Sequence, residues 1–142
     1  MDIHSLDRFL VAQRLTYAIA LREIQNGCKR SHWMWFIFPQ LRGLGSSQMS
    51  YAYGLDGIEE AQAYLAHPIL SGRLTEISEA LLAWHEKGPE EIFGSVDAVK
   101  LHSSMTLFAL LSKEGSVFHR VLDRFFHGVL DERTQVLIGV IK

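Results

Sequence analysis

The chain has a single cysteine, Cys28, in 142 residues. No internal disulfide framework can hold it together, and a reducing, cytoplasmic setting is expected. It also lacks an excess of charge of either sign, with 14 basic and 16 acidic residues leaving a formal net charge of −2. That balance supplies neither a basic stripe for nucleic acid nor a polybasic patch for a membrane. Long apolar runs are missing too. The densest, Trp33 to Phe38, is six residues, against roughly 20 needed to span a bilayer. The opening MDIHSLDRFLVAQ, with an acid at position 2, does not read as a signal peptide. What is present is ordinary globular material: 48% apolar and 21% charged residues exclude disorder as the overall state. A chain of this length is expected to form one domain, residues 1–142, with a core that needs no staples.

Apolar spacing and punctuation predict helices throughout. Phe9, Leu10, Ala12, Gln13, Tyr17, Ala20, Leu21 and Ile24 have helical periodicity over about 5–26, with Gly27 as the stop. Ser31 is expected to cap a short aromatic helix that Pro39 ends, and Ser46 or Ser47 to cap a turn reaching Tyr53. Asp56 and Glu59 resemble a capping box opening a helix to about Ala66, and Pro68 suits the first turn of a helix reaching about His85. Gly88-Pro89 marks a loop followed by one turn to Gly94. Helices are then predicted over 95–113, over 116–127 with Ser116 as cap, and over 131–141, where VLIGVI could also pass as a strand. The expected fold class is all-α, a single compact array of about six to seven helices.

The helix from residue 95 breaks the usual pattern. It is apolar on both sides, as a buried central helix would be. Yet Asp97, Lys100 and Ser104 share the arc of Leu101, Phe108 and Leu111. One explanation is a surface Asp97–Lys100 pair with Ser104 satisfying a carbonyl. The other is a pocket where this polar half-helix meets the aromatic segment, since convergent polar groups beside aromatic walls characterise small-molecule sites. In that reading Trp33 and Trp35 form walls, His32 sits at the rim, and the turn Gly43, Gly45, Ser46, Ser47 offers amides and hydroxyls to an anion. Asp97, Lys100 and Ser104 would then be the catalytic candidates.

Other chemistries find less support. The seven histidines contain no HExxH and no i,i+4 pair, and one cysteine makes no thiolate cluster, so no metal is expected. No GxSxG elbow exists, and His102 cannot reach Ser104 within one helix, which disfavours a triad. No cofactor is called for. Cys28 is read as an ordinary thiol.

The strings SHWMWFIFPQLRGLGSSQMSYAYGL and DAVKLHSSMTLFALL, with AYLAHPILSGRL and FFHGVLDERTQVLI, resemble an uncharacterised family of small bacterial proteins, a domain of unknown function. Its members are sometimes labelled calpastatin, although nothing in this chain has the composition of a long, charge-rich, disordered inhibitor. The resemblance covers nearly the whole chain and implies an all-α, multi-helix fold. The order of segments, ending in FHRVLDRFFHG, also resembles the NADAR family, which cleaves N-glycosidic bonds in ribosylated or ADP-ribosylated compounds. That family's glutamate-containing motif after the first aromatic stretch is not found here. The combined expectation is a small-molecule partner, nucleotide- or ADP-ribose-like, bound or hydrolysed. The alternatives are a non-catalytic protein-interaction module or a homo-oligomer joined through its aromatic segment. Enzymatic activity and oligomeric state stay open at this level.

Overall fold

A computed structural model describes residues 2–141. Among them are nine helices and no strand: α1 (Asp7–Gln25), α2 (Met34–Ile37), α3 (Gln48–Tyr53), α4 (Ile58–Ala66), α5 (Pro68–Leu82), α6 (Pro89–Phe93), α7 (Ser95–Leu110), α8 (Val117–Phe126) and α9 (Glu132–Leu137). The fold is all-α. The count exceeds the expected six to seven because α2, α3, α6 and α9 are separate pieces of four to six residues.

Helix α7 is the centre. From Leu101 to Ala109 every side chain except His102 is buried, which is why its sequence is apolar on all sides. Helices α4, α6, α8 and α9 pack on it, while α5 bridges α1, α4 and α8. Arg8, Phe9, Gln13, Ala20 and Ile24 are the buried positions of α1, and the last four follow the predicted periodicity.

Several ends differ from expectation for identifiable reasons. Ser31 does not cap α2; its hydroxyl is taken by Glu23, and α2 starts after Trp33. Asp56 does not open α4. Glu60 accepts the Asp56 amide, and Gly57, at φ 96°, stands at the N-cap instead. Pro68 does begin α5, but the cap is the His67 ring, whose Nδ1 accepts from the amides of Ile69 and Leu70. Helix α5 ends at Leu82 rather than near His85, α7 at Leu110, and α9 spans six residues, none of them in a strand.

One buried charge pins the start of α1. Arg8 spends all five guanidinium N–H groups: Nε on the Ala52 carbonyl, and Nη1 and Nη2 on the carbonyls of Ser5 and Gly54 and both oxygens of Glu60. Glu60 is partly desolvated, but these bonds, the Asp56 amide and the nearby Arg8 and Arg42 charges hold its carboxyl below the usual range. One turn further along, the buried Gln13 amide donates to Phe36 O and Tyr64 Oη, and Arg73 donates to its Oε1. Removing a partner from a buried ion pair strands the other charge. Arg8→Met is therefore expected to lower unfolding stability by about 3–5 kcal/mol. Urea denaturation at neutral pH measures it.

Candidate functional site

The segment that leads into the site is held by Glu23, near the end of α1. Its carboxylate accepts from the amides of Arg30 and Ser31, the Ser31 hydroxyl and the Trp33 indole N–H, at 2.6–3.0 Å. Partial burial pushes this carboxyl up, but the bonds from Ser31, Arg30 and Trp33 together outweigh that and bring it from 4.5 to about 2. The chain between α1 and α2 is thereby fixed, and with it the two tryptophans. Trp33 is fully buried, packing on Phe38 and Phe93. Trp35 is the partly exposed one.

Two lysines and one aspartate tie this segment to α7. Lys29 Nζ lies 2.9 Å from Asp97 Oδ2, and Lys100 Nζ lies 3.2 Å from Asp97 Oδ1. Each ammonium also covers an indole, Lys29 that of Trp33 at 4.9 Å and Lys100 that of Trp35 at 4.8 Å. Asp97 therefore has both oxygens engaged, and it orients two cations rather than standing free.

Lys100 continues into a cavity of about 290 Å³. Its walls are Gln40, Leu44 and Gly45 from the α2–α3 loop, Val96, Val99, Lys100 and Ser103 on α7, and Arg133 on α9. The four α7 residues have i, i+3, i+4, i+7 spacing, a single helical face. Arg133 Nη2 donates to the Leu44 carbonyl at 2.8 Å, joining α9 to the loop. Ser103 Oγ donates to Asp131 Oδ2, which also accepts from the amide and hydroxyl of Thr134 and so caps α9. Asp131 N in turn donates to Thr106 Oγ1. A second hollow of about 290 Å³ lies on the other side of Leu44 and Arg133, lined also by Gly43, Glu132, Val136 and Leu137.

The residues singled out from the sequence fall into distinct places. Lys100 and Gly45 line one cavity, and Asp97 and Trp35 stand behind Lys100. Ser104 faces inward with Leu101, fully buried, its hydroxyl without a partner; the Trp35 indole N–H is likewise unpartnered. Trp33 is core, and His32 is exposed outside the cavity lining. Gly43 lines the neighbouring hollow, and Ser46 is exposed. Ser47 is committed to capping α3, accepting from the Ser50 amide and bonding its hydroxyl. The glycines of this turn have local reasons as well: Gly43 sits at φ 106°, and a Cβ on Gly45 would come within 2.7 Å of Ser50 Cβ.

Gln40, Ser103 and Arg133 were not among the sequence candidates. Ser103 was one position from a chosen residue, and the helical angle decides between them: Ser103 shares the Val96–Val99–Lys100 face, whereas Ser104 shares that of Leu101. No helix among the described residues is long and apolar enough to cross a membrane. No group of three or more His, Cys, Asp or Glu among them is placed to hold a metal.

Residues 3–138 match the family model described as "Protein of unknown function (DUF1810)". The chain belongs to the DUF1810 family. This DUF1810 chain is also similar to a conserved hypothetical protein, Rv1873, from Mycobacterium tuberculosis, known from its crystal structure. The two are 45% identical with a TM-score of 0.93, over 99% of this chain and 100% of that one. None of the curated proteins matches it.

The Glu23 anchor has a testable pH signature. Its carboxyl is lowered on folding, so its contribution is present above about pH 4.5 and is lost as pH falls through about 2. Glu23→Gln is expected to reduce stability by about 1–3 kcal/mol at neutral pH. The gap between variant and wild type should close as pH falls toward 2, read from denaturation midpoints.

Proposed function

We propose that this DUF1810 protein binds a compact anionic small molecule, of the nucleotide or ribose-phosphate class, in the cavity between the α2–α3 loop, α7 and α9. The observation that carries the reading is convergence. Two cationic side chains, Lys100 and Arg133, an amide, Gln40, and a hydroxyl, Ser103, border one space whose remaining walls are Leu44, Gly45, Val96 and Val99. A few placed polar groups among apolar ones is the usual composition of a small-molecule site. The charges favour an anion: Lys29, Lys100 and Arg133 stand against two carboxylates, Asp97 held between the lysines and Asp131 taken up by Ser103 and Thr134.

Size narrows the class. At about 290 Å³ the cavity is at the lower end of the roughly 300–1,000 Å³ common for ligand sites. It suits a sugar phosphate or mononucleotide better than an entire dinucleotide. The neighbouring hollow beyond Arg133 offers room for an extension, such as the second half of an ADP-ribose-like compound.

A hydrolytic version gives Asp97 the stabilisation of an oxocarbenium-like centre, Lys100 the hold on a phosphate or ribose oxygen, and Ser104 a place in the polar floor. Asp97 is already ion-paired through both oxygens, and neither it nor Ser104 lines the cavity. Binding, with Asp97 fixing the direction of Lys100, is the reading that fits this arrangement.

Titration calorimetry with inorganic phosphate, ribose 5-phosphate, AMP, NAD and ADP-ribose tests it. At least one should bind, and Lys100→Ala should weaken it by about 10–100-fold, the range of a lost charge-assisted hydrogen bond. The Lys29–Asp97 pair survives in that variant, so the fold should stand. Failure of every compound to bind wild type, or equal binding by Lys100→Ala, would overturn the proposal.

A further inference from the structure

Helix α1 carries a row of apolar side chains that no other part of the described chain covers. Val11, Leu15 and Ile19 are 63%, 83% and 44% exposed. They follow one another at four-residue intervals and so form a single stripe. Isolated exposed aliphatics are ordinary, but an aligned triple on the longest helix is a candidate contact face.

The ends of the stripe carry opposite charge. Asp7 precedes Val11 by one turn, and Arg22 follows Ile19 by three residues; both are exposed. Beside Val11 is a surface hollow of about 370 Å³ lined by Asp2, Ser5, Asp7, Arg8 and Val11. The Arg8 guanidinium there is consumed by Glu60 and three carbonyls, so the carboxylates of Asp2 and Asp7 dominate the hollow's charge. It is an acidic recess next to an apolar ridge, on the same helix that presents an arginine at its far end.

This pattern is complementary to itself. Two copies of α1 laid antiparallel, in a register centred between Arg14 and Leu15, set Asp7 of one opposite Arg22 of the other and Val11 opposite the exposed Ala18. The two Leu15 side chains then meet beside the dyad. Opposed macrodipoles add a favourable term, and the contact closes as a two-fold pair with no open ends. We propose that two copies of this chain associate through α1 in this way, with Arg22 of each entering the acidic hollow of the other. A contact about 28 Å long made by one helix per copy is smaller than standard interfaces, so association in the micromolar range is expected.

Sedimentation velocity of the full chain, from about 1 µM to about 1 mM, should show the mass doubling with concentration. Leu15→Arg, at an 83% exposed position where the fold loses nothing, should weaken pairing at least about tenfold, because in this register residue 15 faces Arg14 of the other copy. Asp7→Arg and Arg22→Asp should each be monomeric alone. Mixed in equal amounts they should form a heterodimer, because each supplies the charge that the other needs. Circular dichroism of each variant confirms that it is folded. A wild type that stays monomeric throughout, pairing unaffected by Leu15→Arg, or a mixture that stays monomeric would each overturn the proposal.

Discussion

The carboxylate of Glu23 is the constraint from which the rest of the candidate site follows. Four donors from residues 30–33 converge on it, and a segment that could otherwise wander between α1 and α2 takes one path. On that path Trp33 enters the core and Lys29 lies over its indole. Lys29 then meets Asp97, Asp97 meets Lys100, and Lys100 lies over Trp35 at the edge of the cavity. Charge and aromatic surface alternate along this line. A partly buried run of like groups would be costly, whereas alternation gives each cation both a carboxylate and a π face.

Helix α1 is thus fastened at both ends by charge, through Arg8 near its start and Glu23 near its finish, with Gln13 between them. The three use different chemistry for one task, which is to satisfy backbone groups of neighbouring irregular segments. Arg8 serves the carbonyls of Ser5, Ala52 and Gly54, Gln13 that of Phe36, and Glu23 the amides of Arg30 and Ser31. Short helices and turns leave many such groups unpaired, and a fold with four helices of six residues or fewer depends on side chains to meet them.

What the sequence disclosed was set by range. Periodicity revealed the buried face of α1 and the all-round burial of α7, because both are properties of consecutive residues. Local punctuation located Pro68 and Ser116 at helix starts and narrowed the cap of α3 to Ser46 or Ser47, of which Ser47 serves, because each cap lies within three residues of its donor. Ser31 and Asp56 misled because a distant carboxylate competes for the group that local chemistry would use. Glu23 takes the Ser31 hydroxyl, and Glu60, once placed by Arg8, takes the Asp56 amide. Trp33 and Trp35 were read together as pocket walls, and three dimensions separate them, Trp33 in the core and Trp35 partly exposed. Arg133 was invisible as a cavity residue, since nothing near it in sequence shows that α9 folds back beside Leu44.

Helix α9 is fastened differently from the helices around it. Thr134 is its one buried residue, and Val136 and Leu137 face outward. It is held by the Asp131 carboxylate, the Thr106 hydroxyl and the Leu44 carbonyl, with Leu130 and Ile138 partly buried against the core on either side of it. An element with so little buried apolar surface opens locally at a lower free energy than the whole chain. The cationic wall supplied by Arg133 therefore stands on a helix with one buried residue, while the wall supplied by Lys100 stands on the central helix with nine. A cavity built between the two has one side that can yield and one that cannot.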